Sequence, residues 1–249
     1  MGNPTTTSAP GPARAGGALL GALSDAVARV RHAKPLHPRG AVLAGHLRRH
    51  GSTSGAAWVD ATGDDEVLVR LSRGGGLPAW LPDVHGLALR VPDGAATADL
   101  LLSTTGAGPW LRHVLAPHLD ATAGTWTSLV PYRGPHGSLM IGGRAVERRA
   151  LPADAVALAA ELGARPLRVR LAWAAGEGPW VPFATLDVGG AAGPALDPDV
   201  HFDPLVPPTG LALPGWVAAL RAPAYARARA VVGGPAPTDL EEVSHERAS

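Results

Sequence analysis

Four strand-length runs follow one another between Ala41 and Thr104, and this succession constrains the fold more than any other feature of the chain. Ala41-Val42-Leu43-Ala44-Gly45-His46-Leu47 is mostly apolar and contains a glycine, which suits a tightly curved buried strand. Glu66 to Ser72 alternates, so Glu66, Leu68, Arg70 and Ser72 share one face. Val84–Val91 and Ala98–Thr104 read as two more strands, and the Gly51–Asp65 and Gly74–Gly76 segments between the runs read as turns. Pro166–Ala174 and Pro179–Val188 form a later pair, with Leu167, Val169, Leu171 and Trp173 opposed to Arg168 and Arg170. Two antiparallel meanders of this kind can close on each other, which removes exposed sheet edges.

Helical spacing appears elsewhere. Leu19, Leu20, Leu23, Val27 and Val30 give Gly17–Arg31 an amphipathic stripe, and Trp110–His118, Thr125–Val130 and Ala153–Leu162 have helical lengths or periods. A closing helix is expected from Pro214 to about Val231, and Leu196–Phe202 is a weaker element. Strands, helices, strands and helices in that order indicate an α+β domain. Residues 1–16 are rich in Thr, Ser, Pro and Gly without a basic-then-apolar order, which reads as a disordered tail and not a signal peptide. The expected division is therefore a tail over 1–16, one domain over 17–232 and a flexible tail over 233–249.

Composition narrows the function. The 249 residues are 46% hydrophobic, enough to bury a substantial core. A net charge of +1 gives no electrostatic case for nucleic acid or an anionic membrane, and no uncharged apolar run reaches membrane-spanning length. The absence of cysteine excludes disulfides, thiolate nucleophiles and Cys-ligated metals. The expectation is a soluble, cytoplasmic protein, a monomer or a small homo-oligomer.

Few residues are suited to chemistry. In Leu220-Arg221-Ala222-Pro223-Ala224-Tyr225, the Arg and Ala residues favour helix and Pro223 fits its first turn. Arg221 then stands one turn before Tyr225, and a permanent cation beside a phenol favours the phenolate. Taken alone, such a pair in an Ala/Arg-rich chain is more often a surface helix carrying an amphipathic tyrosine. His37 stands between Leu36 and Pro38 just before an expected buried strand, in a setting that fixes its ring; a lone loop histidine is more often surface or structural than catalytic. Arg70 and Ser72 share a strand face that can equally be the wet side of a sheet. His46 and His50 lack an H-E-x-x-H context, Gly51–Gly55 puts Thr53 where a G-x-S-x-G elbow has its nucleophile, and Asp197 and Asp199 lie among prolines, as in a turn.

In order, these pieces resemble the haem catalase superfamily. Lys34–Gly45 is similar to its R-x-x-H-A-x-G segment with the small-residue strand that follows, and Val69-Arg70-Leu71-Ser72 to V-R-F-S. Asp83–Arg90 is similar to D-x-R-G-x-A-x-R, Asp99-Leu100 to the D-L strand start, and Phe202-Asp203-Pro204 with Arg221 and Tyr225 to F-D-P followed by R-x-x-x-Y. The resemblance, to the small catalase-related peroxidase type, implies an eight-stranded antiparallel β-barrel with packed helices in a minimal single domain. It implies haem b with Tyr225 as the proximal iron ligand, Arg221 keeping it ionised, His37 as distal acid/base and Ser72 bonded to the far ring nitrogen. Arg70 and Lys34 would neutralise the propionates, and Trp110 is the candidate ring near the porphyrin. The substrates implied are hydrogen peroxide or organic hydroperoxides, with an unidentified reductant.

The pattern also departs from that family. Lys34 stands for an arginine, Ser103-Thr104-Thr105 stands where a distal asparagine is usual, and Arg229 takes the part of an arginine two turns past the tyrosine. The chain is roughly half the length of a full-size catalase and lacks the arm and wrapping segment that interlock tetramers. Weak catalase activity beside peroxidase activity is the expectation. The alternatives are rearrangement or dehydration of a hydroperoxide or N–O substrate, and haem binding without catalysis.

Overall fold

The structure, a computed structural model, describes residues 39–75, 77–193, 200 and 202–217. The chain divides into two units, residues 1–212 and 213–249. All the described strands belong to the first unit, and residues 215–217 of the second are helical. The expected helix over 17–31, the part of the expected 214–231 helix beyond residue 217, the 194–199 segment with Asp197 and Asp199, and His201 lie outside the described residues.

The first unit is a closed eight-stranded antiparallel barrel. Its strands are β1 (Arg39–His50), β2 (Thr62–Arg73), β3 (His85–Asp93), β4 (Ala96–Thr105), β5 (Thr125–Thr127), β7 (Gly137–Ala145), β8 (Leu167–Ala175) and β9 (Val181–Ala191). The sheet runs β5-β4-β3-β2-β1-β9-β8-β7, and pairing of β5 with β7 closes it; the short β6 (Tyr132–Gly134) adds to β7.

Alternation decides which side chains fill the barrel. Leu43, Leu47, Val69, Leu87, Leu89, Leu100, Val169, Leu171 and Leu186 are almost fully buried, each in step two along its strand. Two glycines make room where these walls converge. A Cβ on Gly45 would lie 2.5 Å from Val69 Cγ2 and 3.4 Å from Leu186 Cδ1, and one on Gly143 would lie 2.9 Å from Leu171 Cδ2. Helix α1 (Ala57–Asp60) sends the buried Trp58 into an edge-on contact with Phe183, 5.9 Å between centroids. Helix α2 (Ala155–Ala164) starts where Asp154 accepts from Val156 N and Ala157 N, both at 3.0 Å, and stops before Pro166. Its buried Leu158, Ala159 and Leu162 form one stripe, and the helix packs on β9 and β1.

Three expectations need correction. Thr125–Val130 is not helical: Thr125-Trp126-Thr127 is the strand that closes the barrel, with the fully buried Trp126 opposite Gly143, and β-branched and aromatic residues suit that position. It ends in a tight turn in which Val130 N donates to Ser128 O at 2.6 Å and Leu129 adopts φ 61°. Trp110–His118 yields only a 3₁₀ turn over Leu111–His113, because Leu115 then bridges to Thr105 and His118 to Asp83 in extended form. The Gly51–Asp65 segment is not all turn, since β2 starts at Thr62. Its Asp65 meets Arg49 at 3.0 Å and its Asp64 meets Arg48 at 3.6 Å, so cross-strand charge replaces the missing apolar alternation.

Candidate functional site

The outer wall of β1 to β4 carries the described residues expected to act. Since Val67, Val69 and Leu71 point inward, Leu68, Arg70 and Ser72 point outward. Register then places Gly40, Ser72, Gly86, Ser103 and Thr127 in one cross-strand row, and Val42, Arg70, Ala88 and Leu101 in the next. Ser72 and Ser103 thus share a face with one strand between them, roughly 10 Å apart from strand spacing. The strand between them offers only the bare backbone of Gly86. Arg70 lies flat on this wall: a Cβ on Gly40 would meet its Nε at 2.9 Å. Trp110 is 67% exposed beside the 3₁₀ turn. His37, Lys34, Arg221, Tyr225 and Arg229 lie outside the described residues.

One row further along, the wall is sealed by a clamp. Arg90 donates through Nε and Nη2 to both carboxylate oxygens of Asp99, at 2.9 and 2.7 Å, and Asp203 N donates to Asp99 Oδ2 at 2.6 Å. The Arg90 guanidinium covers the Phe202 ring at 5.2 Å. Its hydrogen bonds to Asp99 raise the pKa of Arg90. Three motifs of the resemblance, carried by Arg90, Asp99 and Phe202-Asp203, therefore converge on one structural joint. They join β3, β4 and the segment carrying Phe202.

At the rim, where β2 ends and β3 begins, lies a cavity of about 550 Å³ whose lining includes Gly40, Ser72 and Gly86. Asp83, 3% exposed, ties the adjoining loop by accepting from Gly75 N and Val84 N at 2.8 Å and from Leu77 N at 3.3 Å. Arg73 Nε stands 3.6 Å from Asp83. His85, 6% exposed, faces Arg73 across the strands, and its Nε2 donates to His118 O at 2.9 Å. Burial pushes its pKa below 6.5; the His118 carbonyl opposes this, Arg73 adds to it, and Asp83 and Asp120 oppose it.

Two polar residues of the wall had no sequence signal strong enough to find them. Arg112 is 2% exposed, donates from Nη2 to Gly178 O at 3.0 Å and stacks on Trp180 at 4.7 Å, while its Nε and Nη1 meet no partner among the described residues. Burial lowers its pKa, and Glu177 opposes the shift. Thr127, the neighbour of Ser103, donates to Arg112 O at 2.7 Å. His85 did leave a trace, for it stands where the D-x-R-G pattern has arginine. Of the other histidines weighed, His46 pairs with Asp64 and His50 Nδ1 donates to Phe183 O at 3.0 Å. Among the described residues no group of three or more His, Asp or Glu is placed to hold a metal ion, and no helix is long and apolar enough to cross a membrane.

The closed barrel with this decorated wall is the catalase fold. Two solved structures are similar to it. One is a bacterial catalase, with a TM-score of 0.53 and 13% identity over 85% of this chain and 60% of that one. The other is catalase A from Saccharomyces cerevisiae, with a TM-score of 0.55 and 11% identity over 84% of this chain and 63% of that one. The chain thus spans less than two thirds of either catalase. No protein-family profile and no curated protein sequence matches it.

Proposed function

We propose that the protein is a haem-dependent, catalase-like oxidoreductase acting as a peroxidase on hydrogen peroxide or organic hydroperoxides with a small-molecule reductant. The observation that carries the reading is the shared outward face of Arg70, Ser72 and Ser103 on a catalase barrel. The described residues fit a flat, carboxylate-bearing macrocycle. Gly40, Gly86 and Ala88 keep the wall low, and Arg70 lies on it as a cation for a carboxylate.

Haem b, when bound, supplies a ferric iron at which peroxide is reduced. This chain's part is then positional and protonic. Tyr225, kept anionic by Arg221 and supported by Arg229, would hold the metal through its phenolate oxygen. Arg70 and Lys34 would neutralise the propionate carboxylates. His37 would accept a proton from one peroxide oxygen and return it to the other, which is worth about 10²–10⁴-fold for a positioned acid/base. Ser72 would fix the His37 ring by a hydrogen bond to its far nitrogen, and Trp110 would be the ring near the porphyrin. Ser103 offers a hydroxyl in place of a longer amide, so its reach to peroxide is shorter and the balance moves from disproportionation toward reductant-dependent turnover. The same parts would serve rearrangement of a hydroperoxide, which oxygen and reductant measurements distinguish.

The test is peroxide turnover by haem-loaded protein with and without an electron donor. Donor-dependent turnover without much oxygen release is expected. His37→Ala should retain haem and lose turnover, and Ser72→Ala should lower it by less. Full turnover in His37→Ala contradicts the acid/base assignment.

A further inference from the structure

The rim cavity contains a group to which the proposed function assigns no part. Its volume of about 550 Å³ lies within the range of small-molecule sites. Much of its wall is aliphatic, including Leu71, Leu77, Pro78, Leu119, Pro152 and Leu158. Among its polar groups, Asp154 Oδ1 is taken up by the start of α2, and Arg73 Nη2 by Pro78 O and Leu81 O at 3.3 and 3.0 Å. His85 differs from both. A carbonyl oxygen only accepts, so the 2.9 Å contact with His118 O places the ring proton on Nε2. In the neutral ring Nδ1 is then a bare acceptor. Among the described residues nothing donates to it, and it is not one of the sealed, unpartnered buried atoms. The charged groups acting on the ring are Arg73 opposite it on β2, Asp83 beside it and Asp120 from the following loop, and burial outweighs their sum.

We propose that this cavity binds a hydroxyl-bearing organic molecule, with its hydrocarbon part against the leucines and prolines and its O–H donated to His85 Nδ1. The proposal deepens the peroxide reading and rests on it only for what becomes of the ligand, because Ser72 lines the same cavity. An organic hydroperoxide and a plain alcohol share this chemistry, and the test separates them. A hydrogen peroxide molecule has no hydrocarbon to fill such a wall.

The full-length protein is titrated with 2-phenylpropan-2-ol, and with isopropylbenzene, which lacks the hydroxyl. Calorimetry and the imidazole ¹⁵N resonances of His85 are followed. Saturable binding of the alcohol is expected, with an Nδ1 resonance that moves on binding. Isopropylbenzene, and the alcohol with His85→Phe, should each bind about 3- to 10-fold more weakly, the worth of one neutral hydrogen bond. Should His85→Phe not fold, Leu158→Trp fills the cavity from α2 and should abolish binding. Equal affinity for the two compounds, an unmoved Nδ1 resonance, or undiminished binding in Leu158→Trp overturns the proposal. Turnover of cumene hydroperoxide in preference to hydrogen peroxide identifies the hydroperoxide as the ligand, and binding without turnover identifies the alcohol. Turnover of hydrogen peroxide with no alcohol binding leaves the peroxide reading standing and this proposal refuted.

Discussion

Asp99→Asn is the sharpest probe of the wall, because one carboxylate there joins β3, β4 and the segment carrying Phe202. The wild-type carboxylate accepts from Arg90 Nε, Arg90 Nη2 and Asp203 N, and its side chain is 4% exposed. An amide of the same shape keeps one acceptor oxygen. Its NH₂ must face a donor, either Arg90 Nε or the Arg90 Nη2 and Asp203 N pair. Hydrogen bonds to charged groups contribute about 1.5–3 kcal/mol each. Arg90, at 28% exposure, recovers part of its hydration, which argues for the low end. The expected loss is about 1.5–3 kcal/mol, one or two such bonds at the low end. For a chain of this size that lowers Tm by roughly 3–12 °C. Urea unfolding followed by tryptophan fluorescence measures it, and the double variant Arg90→Met/Asp99→Leu should recover part of the loss. A change below about 1 kcal/mol in Asp99→Asn would refute the clamp.

Two further outcomes are expected of the barrel. His85 has a pKa below 6.5 in the folded protein, so the unfolded chain takes up the proton first as pH falls. Stability should therefore be flat above pH 6.5 at this site and decline below it until the folded pKa is passed. His85→Phe should flatten that decline in urea midpoints measured across pH. Gly45→Ala should cost about 1–3 kcal/mol by overpacking, since the new methyl would lie 2.5 Å from Val69 Cγ2. Adding Val69→Ala should restore part of it, and additive losses in the denaturation midpoints would argue against the contact.

The strands that were legible are those in which one face differs from the other. Val67, Val69 and Leu71 against Arg70 and Ser72 announce β2, and Leu167, Val169 and Leu171 against Arg168 and Arg170 announce β8. β7 was not anticipated because Leu139, Met140 and Ile141 are buried on both faces and Gly142-Gly143 follow, which erases any period of two. β5 was misread for want of length: three residues hold the barrel shut through pairing on both sides, and pairing is invisible in sequence. The outward placement of Arg70, Ser72 and Ser103 follows from alternation, but their alignment around Gly86 needed the register of three strand pairs. Arg112 could not be found by pattern and His85 left only its departure from D-x-R-G, since the burial that makes each unusual comes from segments far away in the chain, around Gly178 and His118.

The central claim, that the chain holds haem through Tyr225, is tested most directly by titrating full-length protein with ferric haem and recording the absorption spectrum. One-to-one saturation with a high-spin ferric phenolate spectrum is predicted, with that spectrum lost in Tyr225→Phe. Failure to bind haem, or a Tyr225→Phe variant with the same spectrum, would contradict it.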